Sequence, residues 1–201
     1  MKLKYILSIS CLAAALLFQA CRPKVTTPKP LGYYKIELPR THQYRDFDSA
    51  GFPFAFRYPV YATITQDSAL VHEEHAPYWI DVTFPDLNAK IYLSYKQISA
   101  KEPLSKLVNE SYKLSFSHDV KADYIRAPAI RTQNGLQGVY YQVGGNAASA
   151  YQFFITDEHK NFVRGSLYFD VTPNADSLKP AIQFLKQDLD TLIQSFHFNS
   201  K

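Results

Sequence analysis

Two histidines flank a pair of glutamates in His72-Glu73-Glu74-His75, the densest set of metal-ligating and acid–base side chains in the chain. On a helix, such a pair could share one ion. The metalloprotease pattern spaces its histidines at i and i+4, with a glutamate as base. Here the spacing is i, i+3, and Ala76-Pro77 follows at once. A solvated polar loop between strands is the plainer reading of this segment. Ser166 follows Gly165, and Ser149 follows Gly144-Gly145-Asn146-Ala147-Ala148, but neither serine sits in a G-x-S-x-G nucleophile elbow. The glycine-rich loops that cradle phosphates are absent from the sequence. Asp46 and Asp48, Glu73 and Glu74, and Asp157 and Glu158 are turn-like pairs. A glycosidase needs two carboxylates about 5–9.5 Å apart across a cleft, and nothing in the spacing selects such a pair. The expectation is a protein that is not an enzyme and carries no cofactor and no metal.

Two further features bear on binding. Gly144-Gly145-Asn146-Ala147-Ala148-Ser149 is a run of small residues between two aromatic segments. Two glycines and an asparagine suit a turn with positive φ, so a tight hairpin is the favoured reading. The alternative is a flat patch where a partner backbone approaches closely, which makes Gly144, Gly145, Asn146 and Ser149 the candidate contact residues. Pro77-Tyr78-Trp79 contains the single tryptophan. Core packing is favoured there over a platform for sugars.

The N-terminus carries the most specific chemistry. Lys2 and Lys4 precede an apolar stretch, residues 5 to 18, broken only by Ser8 and Ser10. That is shorter than the ~20 apolar residues of a membrane-spanning helix. Positive flank, apolar centre and small residue before a cut make a secretory signal, residues 1–20. Leu17-Phe18-Gln19-Ala20-Cys21 resembles the lipobox read by lipoprotein signal peptidase, with Phe18 in place of the usual leucine. Cys21 is therefore the expected lipidation site. Two or more acyl chains, at ~0.8 kcal/mol per buried CH₂, give durable anchoring. Residues 22 to 30, Arg-Pro-Lys-Val-Thr-Thr-Pro-Lys-Pro, cannot form a core and favour an extended tether. At ~3.1 Å per residue it reaches about 30 Å. The other cysteine, Cys11, leaves with the signal, so the mature domain holds no disulfide. Removing Lys2 and Lys4 leaves 20 basic against 18 acidic residues, interspersed. Nucleic-acid binding thus lacks its electrostatic footprint.

The rest, residues 31–201, reads as one domain. Residues 31 to 48 suggest an ordered arm. Phe52, Phe54, Phe56 and Tyr58 alternate with Pro53, Ala55 and Arg57, the period of a strand. Residues 61 to 65, 79 to 84 and 89 to 98 continue in kind. The period then changes: Leu104, Leu107, Val108, Ser111, Tyr112 and Ser115 recur at helical spacing. Residues 122–131, 136–143, 150–156 and 162–171 are rich in strand formers. Asn134-Gly135, Gly144-Gly145-Asn146 and residues 157–161 separate them as hairpin turns. Leu178, Ile182, Leu185, Leu189, Leu192 and Phe196 make a closing helix about 20 residues long. Asn174 or Asp176 caps its start, and Pro180 sits in its first turn. The sum is an α+β domain: a mainly antiparallel sheet of about seven or eight strands flanked by two main helices.

Several of these segments are similar to a known family. Phe47-Asp48-Ser49 through Tyr58, Pro77-Tyr78-Trp79, Ile91-Tyr92-Leu93-Ser94-Tyr95-Lys96 and the Gly144-to-Ser149 run resemble the gliding motility lipoprotein GldD family of Bacteroidota. The strongest stretch is Phe162-Val163-Arg164-Gly165-Ser166-Leu167-Tyr168-Phe169, followed by Pro173-Asn174-Ala175-Asp176-Ser177-Leu178-Lys179-Pro180. The resemblance implies a non-enzymatic accessory or assembly role in the gliding and type IX secretion machinery, through contacts with envelope proteins. It carries over no catalytic residue, and only Cys21 as a functional position. In this phylum, acids just after the cysteine mark surface export. Arg22-Pro23-Lys24 is basic, so the domain is expected to face the periplasm. Phe56-Arg57-Tyr58-Pro59 followed by Tyr61, and the helix ending Ile193-Gln194-Ser195-Phe196, also resemble the PsbP/Mog1-like fold. A second functional reading is a periplasmic module that binds glycan or peptidoglycan in an aromatic pocket.

Overall fold

The computed structural model describes Gly32 and residues 35–199. The signal segment, Cys21 and the tether lie outside the described residues.

Lys35 to Gln43 run without regular structure into β1 (Tyr44–Phe47), which pairs antiparallel with β2 (Phe54–Pro59). The arm expected from the sequence therefore ends as a strand. β3 (Thr63–Thr65) follows, then a short helix α1 (Ser68–Glu73). That helix takes in His72 and Glu73 of the polar loop expected there, while Glu74 and His75 lie in the turn after it. Asp67 starts it by accepting the N–H of Ala69 at 3.0 Å, a local bond that favours helix initiation. β4 (Ile80–Phe84) and β5 (Ala89–Gln97) form a hairpin around a single 3-10 turn at Pro85–Leu87. Helix α2 (Leu104–Phe116) comes next.

The segment expected as one strand over residues 122–131 is two, β6 (Ala122–Arg126) and β7 (Ala129–Arg131). Pro128 sits at the break, and it has no N–H to give a ladder. β8 (Gln137–Gly145), β9 (Ser149–Thr156) and β10 (Asn161–Phe169) then pair as consecutive hairpins. The β9–β10 turn is held by Asp157, whose Oδ1 accepts the N–H groups of His159, Lys160 and Asn161 at 2.8–3.0 Å. Helix α3 (Ala175–Ser195) and the two-residue β11 (His197–Phe198) finish the chain. Asn174 caps α3, its Oδ1 accepting Ser177 N–H at 3.0 Å. Pro180 lies in the second turn rather than the first.

Eight strands form one antiparallel sheet in the order β3-β4-β5-β10-β9-β8-β6, with β7 also on β8. A three-stranded sheet, β1-β2-β11, lies apart from it. Both ends of the large sheet are weak templates. β3 has three residues, and β6 shifts register between Ala122 and Tyr124.

Alternation along each strand gives the sheet two different faces. On one, Val82, Ile91, Leu93, Phe153, Ile155, Val163 and Leu167 pack with the small sheet and with Leu185, Leu189, Leu192 and Phe196 of α3 in the main core. The other face carries a smaller cluster, Tyr141, Phe154 and Phe162 under Leu107 of α2. The expected stripe of α3 is fully buried from Leu185 onward, while Leu178 and Ile182 are half-buried.

Candidate functional site

The Gly144–Ser149 run forms the β8–β9 turn beside the start of α3. Its close backbone approach is made by the chain itself. A Cβ on Gly144 would meet the Tyr124 ring at 2.2 Å, and one on Gly145 would meet Asp123 N at 2.7 Å. Gly145 also has φ +93°. Asn146 is exposed, and its Oδ1 accepts the N–H of Ala175 at 2.8 Å, which ties the turn to the first residue of α3. Ser149 is buried and donates to the Tyr151 carbonyl at 3.3 Å. As the first residue of β9 it is fully buried, so it offers no surface to a partner. Gly144 and Gly145, but not Asn146, border an open groove of about 310 Å³ that reaches Asp176 and Lys179. Gly145→Ala is expected to destabilise by about 1–3 kcal/mol, because the backbone conformation is strained for any side chain. Gly144→Ala costs less, since only the half-exposed ring of Tyr124 must move. Thermal melts of the two variants check the order.

His72 lies in α1, and His75 follows it at φ +52°. Their rings are 6.4 Å apart, edge to face. Among the described residues, no three His, Cys, Asp or Glu side chains are grouped to hold an ion.

Two polar sites went unmarked by sequence reasoning. The first is on the sheet face beneath α2. The strand register sets Asp81, Tyr92, Ser166 and Gln152 in one row, and Ser94, Arg164 and Phe154 in the next. Arg164 donates through Nη1 to Ser166 Oγ at 2.7 Å and through Nη2 to Gln152 Oε1. Ser115 of α2 donates to the same Gln152 oxygen at 3.1 Å. Burial pulls the guanidinium below the usual arginine value, although it stays charged. Burial also lowers His118, with the Arg164 charge adding to the effect. Arg164 borders a cavity of about 140 Å³ between α2 and the sheet. Trp79 and Ser94 are shared with a larger open groove of about 510 Å³ along β4 and β5. Tyr78, by contrast, packs into the main core against Phe52 and Tyr95.

The second site is Asp188 of α3, 1% exposed on the core side of the helix. One oxygen accepts from His42 Nδ1 at 2.7 Å and Tyr44 Oη at 3.0 Å, and the other from Tyr61 Oη. A carboxylate only accepts, so the imidazole carries its proton on Nδ1. Burial raises Tyr61, and the hydrogen bond to Asp188 adds to it. His42 also stacks on Phe184, ring centres 4.2 Å apart. The cluster fastens the arm that precedes β1 to the middle of α3.

No Ser–His–carboxylate chain is formed by these hydrogen bonds. What the described residues present is a helix-roofed sheet with a recessed cation, and an arm pinned by a buried acid. A family model, that of the gliding motility lipoprotein GldD, matches residues 23–198. The chain belongs to this family. Membership of a lipoprotein family means that this GldD-family chain is held at a membrane by lipid. A comparison with curated proteins gives no match. Among solved structures, the fold is similar to the solution structure of cyanobacterial PsbP (CyanoP) from a Synechocystis species. That likeness has 14% identity and a TM-score of 0.46, and covers 79% of this chain and 94% of the other.

Proposed function

We propose that the chain is a lipid-anchored accessory component of the gliding motility and type IX secretion machinery, acting by contact with envelope proteins rather than by catalysis. The observation that carries this reading is the family match, which extends over residues 23–198. Cys21 holds the diacylglycerol anchor in this reading, and the basic residues after it keep the domain on the periplasmic side. Anchoring then raises the local concentration of the domain near membrane partners without any new contact.

Deleting the gene in the source bacterium is expected to abolish spreading and to cut secretion of type IX cargo. Restoring the wild-type chain rescues both, whereas Cys21→Ser moves the protein from the membrane to the soluble fraction and rescues poorly. Normal spreading and secretion in the deletion strain would reject the reading. Crosslinking from native membranes then identifies the contacting proteins.

A second reading, a module for glycan or peptidoglycan, is favoured by one observation. Trp79 and the half-exposed Tyr92 line the same open groove on β4 and β5. Muropeptides that leave Trp79 fluorescence unchanged at saturating concentration would remove it.

A further inference from the structure

Arg164 is a partly buried cation, its Nε fully enclosed, and no ion pair among the described residues balances its charge. Its two hydrogen-bond partners are neutral, the oxygens of Ser166 and Gln152. None of the ion pairs among the described residues includes it. Its Nε has no acceptor, and neither does the Nε2 of Gln152 beside it, which is fully buried. Buried charges are ordinarily paired, because an isolated one is costly to desolvate. The cavity on which Arg164 opens has the complementary character. Leu107 and Phe162 are buried walls, Trp79 forms a third side, and Ser111 and Ser94 add hydroxyls. At the mouth, Lys96 and Glu110 pair at 3.5 Å and so largely cancel each other. Leu114 is exposed there.

We propose that this cavity is a carboxylate-binding site, in which Arg164 takes the anionic head of a ligand and Leu107, Phe162 and Trp79 enclose a short apolar body. A guanidinium matches a planar carboxylate through parallel N–H···O bonds, as it also matches a phosphate, so the apolar walls decide between the two. Free phosphate is a poor occupant, because it has no apolar part to set against the walls. The volume of about 140 Å³ suits a body near the size of benzene, which an engineered apolar cavity of about 150 Å³ accepts. The same chemistry has two sources, a free small carboxylate or the C-terminus of a peptide. A peptide body would continue into the adjoining groove that shares Trp79 and Ser94. This site is independent of the partner contacts proposed above.

Trp79 is the single tryptophan and lines the cavity, so its emission reports occupancy directly. The full-length chain in nanodiscs is titrated with benzoate and hexanoate, with benzyl alcohol and benzylammonium as controls. Saturable change with the carboxylates is expected, and binding at least about tenfold weaker for the alcohol, as a charge-assisted bond implies. Arg164→Met removes an unbalanced charge, so it should fold with an unchanged or higher melting temperature and lose carboxylate binding. Leu114→Glu, at the exposed mouth, repels the anion but leaves alcohol binding alone; it tests the site even where Arg164→Met fails to fold. Two peptides ending in phenylalanine, one with a free and one with an amidated C-terminus, separate the sources. Tighter binding of the free form than of benzoate assigns a chain end, and binding of benzoate alone assigns a free small acid. No saturable response to any carboxylate, equal response to benzoate and benzyl alcohol, or undiminished carboxylate binding in both variants would overturn the proposal.

Discussion

Asp188→Ala is expected to lower the melting temperature by on the order of 10 °C, a loss of about 3–5 kcal/mol for a buried charged network stripped of one member. The substitution leaves His42, Tyr44 and Tyr61 with donors that have lost their acceptor. Each such group forfeits its desolvation cost as well as its bond. It also opens a void beside Phe184, on which His42 stacks. Asp188→Asn keeps the volume and one acceptor oxygen, so its loss is smaller. Hydrogen exchange gives an independent readout. Amides just before β1 are expected to exchange faster in Asp188→Ala, while those of β9 and β10 keep their protection relative to global stability. A melting temperature within about 2 °C of wild type, together with unaltered exchange before β1, would refute the pinning of the arm.

The second large effect is at the far end of the same helix. Phe196 is fully buried and caps α3 where the chain turns into β11. Its ring stacks on Phe56 at 5.7 Å and Phe54 at 5.3 Å, and meets Phe198 edge-on at 5.5 Å. Phe196→Ala is expected to cost about 3–5 kcal/mol, the range for deleting a buried aromatic. Much of the small sheet leans on this ring, because β11 pairs with β2 at His197–Ala55 and Phe198–Phe54. Urea unfolding followed by circular dichroism measures the loss. Val120→Ala, at a site 88% exposed, is the control and should change stability by less than about 0.5 kcal/mol.

Period and composition were enough to read the sheet, α2 and α3, because each has one face that must leave water. β5 shows why: Ile91 and Leu93 are buried while Lys90 and Tyr92 point the other way. Elements too short to show a period were not legible. α1 has six residues, fewer than two helical turns, and β11 has two, a single strand repeat. The division at Pro128 was hidden by the run of strand formers on either side. The polar sites were illegible for a different reason. Asp188 falls among the glutamines and lysine of α3 in sequence, and an acid in a helix reads as solvent-facing. Its partners lie 127 to 146 positions away, a distance no local pattern spans. Arg164 alternates correctly with Val163 and Gly165 as the outward residue of a strand. What it lacks is any local sign that α2 roofs that face. The Gly144–Ser149 run was legible as a turn, since Gly145 needs its positive φ. Which backbone approaches it was not, because β6 reaches the turn through tertiary pairing.

A lipid anchor confines copies of a protein to two dimensions, where neighbours collide far more often than in bulk. A sheet that ended in a long, flat strand would then invite one copy to extend the next. Here one border is a three-residue strand bearing Thr63 and Thr65, and the other is kinked, with Asp123 and Arg126 along it. The borders of the large sheet therefore offer a crowded neighbour only a short or irregular ladder to extend.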